Sequence, residues 1–387
     1  MQENVATPAA GDAPARISGT CDTRFSALRD AFLENFAARG EIGASVAVTV
    51  DGVPVVDLWG GYRDAARSRP WERDTIVTTN SVTKEVTALA LHLLADRGRI
   101  DLDAPVADYW PEFAQNGKAT LPVRYVLDHR AGLPVLDSAW PGMAYDWKAM
   151  IDALAAQAPL WEPGTTPCYH AATQGYLMGE IIRRVSGKMP GAFIREEISG
   201  PLGLDWHLGL TPEEEARCAD FIANTDHTGW STEHTDSAVR FERAWRIFPE
   251  DENYNSPQWR RLQVPSSGGH GNARALARLC GALARGGEVD GVRLISEAAL
   301  RKAIEPQWEG PERVGRTLRL GLGLLLNCKG TPMGPNPGAF GMFGAGGQVA
   351  IADPVSRIGF AYTMNRMDPA SGFGPRASAL IGAALGL

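Results

Sequence analysis

At 387 residues, with 44% hydrophobic and 21% charged side chains, the chain has the composition of a soluble globular protein of one large or two medium domains. Its net charge of −7, with acidic and basic residues interspersed, excludes the basic footprint of a nucleic-acid binder and the polybasic patch of a membrane-surface protein. Five widely spaced cysteines without a Cys-x-x-Cys pair point to reduced thiols and a cytoplasmic protein, and no apolar run is long enough to span a bilayer.

The start is polar and rich in Ala and Pro, without the basic and apolar blocks of an export signal, so residues 1–22 are expected to form a flexible tail. Phe25, Leu28, Phe32 and Phe36 recur at three- and four-residue steps, which predicts an amphipathic helix ending at Gly40. Residues 44–50 and 53–59 are β-prone and separated by Asp51-Gly52, the signature of a tight hairpin. From Val82 to Leu94 the chain is rich in Ala and Leu, lacks Pro and Gly, and stops at Gly98; this predicts a buried helix with Ser81 at its start. A proline-punctuated connector then leads to short helical stretches at 123–129 and 146–158. Trp161-Glu162-Pro163-Gly164-Thr165 reads as a turn, after which Tyr169-His170-Ala171 enters a helix over 175–185.

From Leu210 to Asn255 apolar periodicity is weak, the mark of a long surface excursion. Its His227, Glu233, His234 and Asp236 have neither a His-x-x-x-His step nor a cysteine beside them, so no metal is expected. Residues 265–272 form a glycine-rich turn into a helix over 273–285, and without a Gly-Lys-Ser/Thr ending they are not read as a phosphate loop. Strands are expected at 318–326, 348–353 and 358–364, then a helix over 376–384. Strands at both ends with helices between predict an α/β fold in which 23–80 and 275–387 share one sheet, while 81–274 forms a mainly helical lobe.

The chemistry concentrates at Ser81 and Lys84. Three positions apart on a helix they share a face, so the lysine nitrogen reaches the serine hydroxyl, which becomes nucleophilic once a base takes its proton. Taken alone, the spacing equally describes a helix-capping serine and a solvated lysine. No serine lies in a Gly-x-Ser-x-Gly context, which argues against an α/β-hydrolase elbow.

Four segments in order resemble a known family: Ser81-Val82-Thr83-Lys84, Tyr169 behind the Trp161 turn, Gly269-His270-Gly271-Asn272-Ala273, and the run from Phe340 to Gly347. They are similar to the serine β-lactamase-like hydrolases, and most of all to the class C β-lactamase-related esterases called family VIII carboxylesterases. The resemblance runs from about Phe25 to Leu387 and implies a β-lactamase/transpeptidase-like fold, an antiparallel sheet flanked by helices with an all-helical lobe. It implies Ser81 as the nucleophile that forms an acyl-enzyme, with Lys84 and Tyr169 sharing the proton transfer. Which of the two is the base stays open. An oxyanion hole is implied at the N–H groups of Ser81 and Ala345, next to Gly344, with no cofactor and no metal. Where β-lactam-hydrolysing relatives carry Lys-Thr-Gly, this chain has Met342-Phe343-Gly344, and where they carry Asn it has Ala171. A substrate carboxylate thus loses a cation, which Arg240 or Arg260 of the surface excursion could supply. His170 and His270 are candidates for the substrate pocket, His170 also readable as a packed residue and His270 as a histidine bonding its own loop, and His92 and His129 are expected to be structural. The expected reaction is hydrolysis of a small-molecule carboxylic ester, with no nucleic acid or membrane as partner and homo-oligomerisation left open. An amidase, D-aminopeptidase, β-lactamase or acyltransferase on the same scaffold is the alternative, and a non-catalytic ligand sensor a more distant one.

Overall fold

The computed structural model describes residues 2–4, 16–223, 241–368 and 373–386; His227, Glu233, His234, Asp236 and Arg240 lie outside them. Ten strands build one antiparallel sheet: β1 (Gln2–Asn4), β2 (Ile17–Asp22), β3 (Gly43–Val50), β4 (Val53–Gly61), β5 (Trp308–Pro311), β6 (Thr317–Leu320), β7 (Leu325–Leu326), β8 (Phe340–Phe343), β9 (Val349–Asp353) and β10 (Ile358–Met364). Their spatial order is β1-β2-β4-β3-β10-β9-β8-β7-β6-β5, so the two ends of the chain meet in mid-sheet where β3 pairs with β10. Asp51 and Gly52, at φ 52° and 79°, close the β3–β4 hairpin as the Asp-Gly pair predicts.

Two sequence expectations need correction. Residues 17–22, assigned to a tail, form β2 and pair with β4 from Ile17–Gly60 to Cys21–Val56. The run 318–326, read as one strand, folds back on itself: Gly323 at φ 80° and the Gly321 N–H bond to Leu324 O turn β6 into β7, pairing Leu320 with Leu325. Apolar continuity alone does not distinguish a long strand from two short ones joined by Gly-x-Gly.

The sheet is covered on both faces, and side-chain size decides which helix lies where. The principal helices are α1 (Ser26–Ala38), α2 (Val82–Asp96), α3 (Thr173–Ser186), α4 (Ala273–Ala284) and α5 (Pro375–Leu385). Along the central strands the bulky residues Val46, Val48, Ile351 and Phe360 pack with Leu28 and Phe32 of α1 and Leu380 and Ile381 of α5. The alternate positions Ala47, Ala350, Ala352 and Ala361 join the other core, which holds α2, α3 and α4. Small residues there let α4 sit close to the strands: a Cβ on Gly359 would lie 2.2 Å from Gly281 N, and one on Gly281 2.3 Å from Thr49 Oγ1. A three-stranded ribbon of 77–78, 269–271 and 206–208 joins the sheet layer to the helical lobe.

Candidate active site

Ser81 immediately precedes α2, in helical conformation (φ −66°, ψ −9°), with its hydroxyl not spent on capping the helix. The helix is buried throughout from Val82 to Leu94, so Lys84 one turn on lies wholly out of solvent. Its Nζ donates to Ala171 O and Ser266 O, each at 2.8 Å, and stands 3.3 Å from Ser81 Oγ. Burial is the main cause that lowers the Lys84 pKa to about 7, and the Arg316 guanidinium adds to it. In the neutral amine the two N–H bonds can go to the two carbonyls, leaving the lone pair for the Ser81 O–H. This is the arrangement of a base already facing its proton.

Tyr169 completes the group, its ring 4.9 Å from Lys84 Nζ and its side chain hydrogen-bonded to Ser81. Burial raises the phenol to about 12, against the opposing pull of the Ser81 bond and of Arg316, so at neutral pH it holds its proton. The Tyr169 N–H donates to the buried Glu312 carboxylate at 2.6 Å, and Glu312 also binds Arg316, whose guanidinium lies 4.9 Å from the tyrosine ring.

Ser81 and Tyr169 open onto a cleft of about 340 Å³, also lined by Leu318, Leu325, Met342, Phe343, Gly344, Ala345, Phe373 and, on a more polar side, Arg316, Thr317 and Thr331. Phe343 and Phe373 lie against each other with ring centres 3.7 Å apart and planes tilted by 49°. Among the described residues the N–H groups of Ser81 and Ala345 donate to no protein acceptor, leaving two amide donors on the cleft wall.

The structure thus brings Ser81, Lys84, Tyr169, Met342, Phe343, Gly344 and Ala345 together, and it separates His170 and His270 from the cleft lining. His170 is fully buried: it accepts the Leu133 N–H at Nε2 (2.9 Å), so Nδ1 carries the proton and donates to Cys168 O (2.6 Å). Burial holds its pKa down to about 4. His270 sits in the ribbon with Nδ1 3.0 Å from Gly268 O, and burial holds it at about 3. Both are packed and neutral. The flanking Gly269 and Gly271 are small because Trp206 lies against them, where a Cβ would come within 2.2 and 2.5 Å of its ring. Arg260, considered as a substitute cation, pairs with Asp220 at 3.0 Å. Among the described residues the cation that lines the cleft is Arg316, which sequence reasoning missed together with Glu312 and Phe373. Only the i, i+4 spacing of Glu312 and Arg316 hinted at a pair, and nothing local tied it to Tyr169.

Comparison with known proteins agrees with this fold. The family model described as Beta-lactamase matches residues 28–384. The chain is 38% identical over 371 residues to the esterase/beta-lactamase LipL of Mycobacterium tuberculosis (strain ATCC 25618 / H37Rv), covering 92% of this chain and 84% of that protein. Among solved structures it is similar to a penicillin-binding protein homologue from Caulobacter crescentus, at 42% identity and TM-score 0.90 over 95% of this chain and 98% of the other. A family VIII carboxylesterase superposes with TM-score 0.88 at 38% identity, over 95% and 98% of the two chains. The fold class and family resemblance expected from the four motifs are borne out.

Proposed function

Given that this chain belongs to the beta-lactamase family, we propose that it is a serine hydrolase that cleaves carboxylic esters through an acyl-enzyme on Ser81. The relatives named as esterases support the ester as substrate class. The observation that carries the mechanism is the environment of Lys84: a buried nitrogen 3.3 Å from Ser81 Oγ, with two carbonyls at 2.8 Å and a pKa near 7.

In the proposed cycle Ser81 Oγ attacks the acyl carbon while its proton passes to the neutral Lys84 amine. The negative charge that develops on the carbonyl oxygen is received by the Ser81 and Ala345 N–H groups, which are fixed before it appears. As the tetrahedral intermediate collapses, the Tyr169 phenol protonates the leaving alkoxide and recovers a proton from the Lys84 ammonium, so the site ends neutral with the acyl group on Ser81. A water molecule enters where the alcohol left and attacks the acyl carbon while one of its protons passes to the Lys84 amine; as the bond to Ser81 Oγ breaks, the Tyr169 phenol protonates that oxygen and recovers a proton from the Lys84 ammonium, and the acid is released. Met342, Phe343, Phe373, Leu318 and Leu325 suit an apolar acyl or alkyl group, while Arg316 is compensated by Glu312 rather than held ready for a substrate anion.

Among the described residues no helix is long and apolar enough to cross a membrane, and all five cysteines are free thiols, in keeping with a cytoplasmic location. Mixing the protein with an alkyl fluorophosphonate and weighing it intact tests the central assignment. A single adduct that disappears in Ser81→Ala supports it; an adduct that persists there removes Ser81 as nucleophile.

A further inference from the structure

We propose that Asn80 is a positioning residue that holds the two amides of the oxyanion site in register. The inference rests on the ester-hydrolase reading above. Asn80 adopts φ 44°, a left-handed conformation that asparagine tolerates better than most side chains. Its carbonyl accepts the Thr83 N–H at 3.0 Å and so points along the first turn of α2. Across a trans peptide the N–H of the next residue points the opposite way, so the Ser81 N–H is directed out of the helix start, on the side of the cleft. The backbone conformation of Asn80 therefore aims one of the two donors.

Its side chain holds the other. Asn80 Nδ2 donates to Ala345 O at 2.6 Å and to Gln348 Oε1 at 3.3 Å, across 265 and 268 positions of sequence. Residues 344–348 form a tight turn after β8: the Gly344 N–H bonds Gln348 O (2.8 Å), the Gly347 N–H bonds Gly344 O (3.0 Å), and Gly346 and Gly347 both lie at positive φ. A glycine-rich turn is the least constrained part of a strand end. Asn80 ties that turn to the residue before the nucleophile, and the buried Gln348 extends the tie to Thr78 O at 3.4 Å. One side chain thus spans the junction between the helical lobe and the sheet where the two donors must converge on one oxygen.

The separation of roles can be measured in the full-length protein. Asn80→Gly still permits the positive φ but removes the clamp; Asn80→Asp keeps the shape and turns the donor into an acceptor facing Ala345 O. Complete loss of an oxyanion donor lowers kcat by about 100- to 1000-fold, so loss of alignment is expected to lower it by about 10- to 100-fold in both variants. KM for a p-nitrophenyl ester should stay within about threefold, and affinity for an alkyl boronic acid, whose adduct places an oxygen between the two amides, should fall by the same factor as kcat. A kcat within threefold of wild type in a folded variant overturns the proposal. So does a loss that follows a lowered melting temperature while boronate affinity is retained. If Asn80→Gly fails to fold, Asn80→Asp carries the test. A wild-type protein that is not labelled at Ser81 defeats the hydrolase reading instead, whereas labelling of wild type and Asn80→Gly at equal rates defeats only the positioning role.

Discussion

Lys84 and Tyr169 are pushed apart by the same physical cause. Burial disfavours whichever form is charged, so it brings the lysine down towards neutral and drives the tyrosine up towards permanent protonation. That asymmetry favours the lysine as base and the tyrosine as proton donor, a choice that residue types alone leave open. In the proposed cycle the neutral amine is the active form, so kcat/KM for an ester should rise with pH through about 7. Arg316 lowers the Lys84 pKa by repulsion, though by less than burial does. In Arg316→Gln the amine keeps its proton to higher pH, so the rising limb should move to higher pH, with the larger loss of activity below pH 7. A pH–rate profile that does not move would show that Arg316 is too well compensated by Glu312 to act on the amine. The Ser81 and Lys84 pair was legible because helical geometry is local. Tyr169 was reached through the family motifs, but its link to Glu312 and Arg316 was not legible, since it is made by a bond across 143 positions.

At the scale of the element, α2 carries a second buried ionisable side chain besides Lys84. Glu85, next to Lys84, is also fully buried, but on another side of the helix: it faces a void lined by Leu89, His92 and Leu300, with Oε2 unpartnered. Burial alone raises its pKa to about 8. The folded state then keeps the carboxyl protonated at neutral pH, whereas the unfolded chain ionises above about 4.5. The contribution of Glu85 to stability is therefore full below about pH 4.5 and is lost as pH rises towards about 8. Glu85→Gln, neutral in both states, should flatten this dependence and raise the unfolding midpoint in urea most at pH 8, with little change at pH 4. An unchanged slope would mean that the carboxylate finds a partner in the folded protein. Helix α4 makes a second demand, on volume: Gly281→Val would drive a side chain into Thr49 and should cost about 1–3 kcal/mol in denaturant unfolding. Composition and the stop at Gly98 announced α2, and the glycine-rich turn before it announced α4, but neither the sheet face that α4 covers nor the need for glycine there could be read without the pairing of β3 with β10.

For the whole molecule, the cleft is a seam between layers: Ser81 comes from the helical side, Tyr169 from a loop of the lobe, and Met342 to Ala345 from the sheet. The apolar wall and the internally paired Arg316 predict that a short neutral ester such as p-nitrophenyl butyrate will exceed a chromogenic cephalosporin in kcat/KM by at least about 100-fold. Equal values would show that the cleft accepts a carboxylate despite Met342. Sequence order adds a consequence of its own, through the pairing of β3 with β10. During synthesis Gly43–Val50 emerges long before Ile358–Met364, and until then the middle strand of the future sheet offers an open edge. A nascent chain halted before residue 340 would also lack Ala345, carrying Ser81 and Lys84 without one of the two amide donors. Catalytic competence should therefore appear only once Ile358–Met364 has left the ribosome, when completion of the sheet and completion of the active site become the same event.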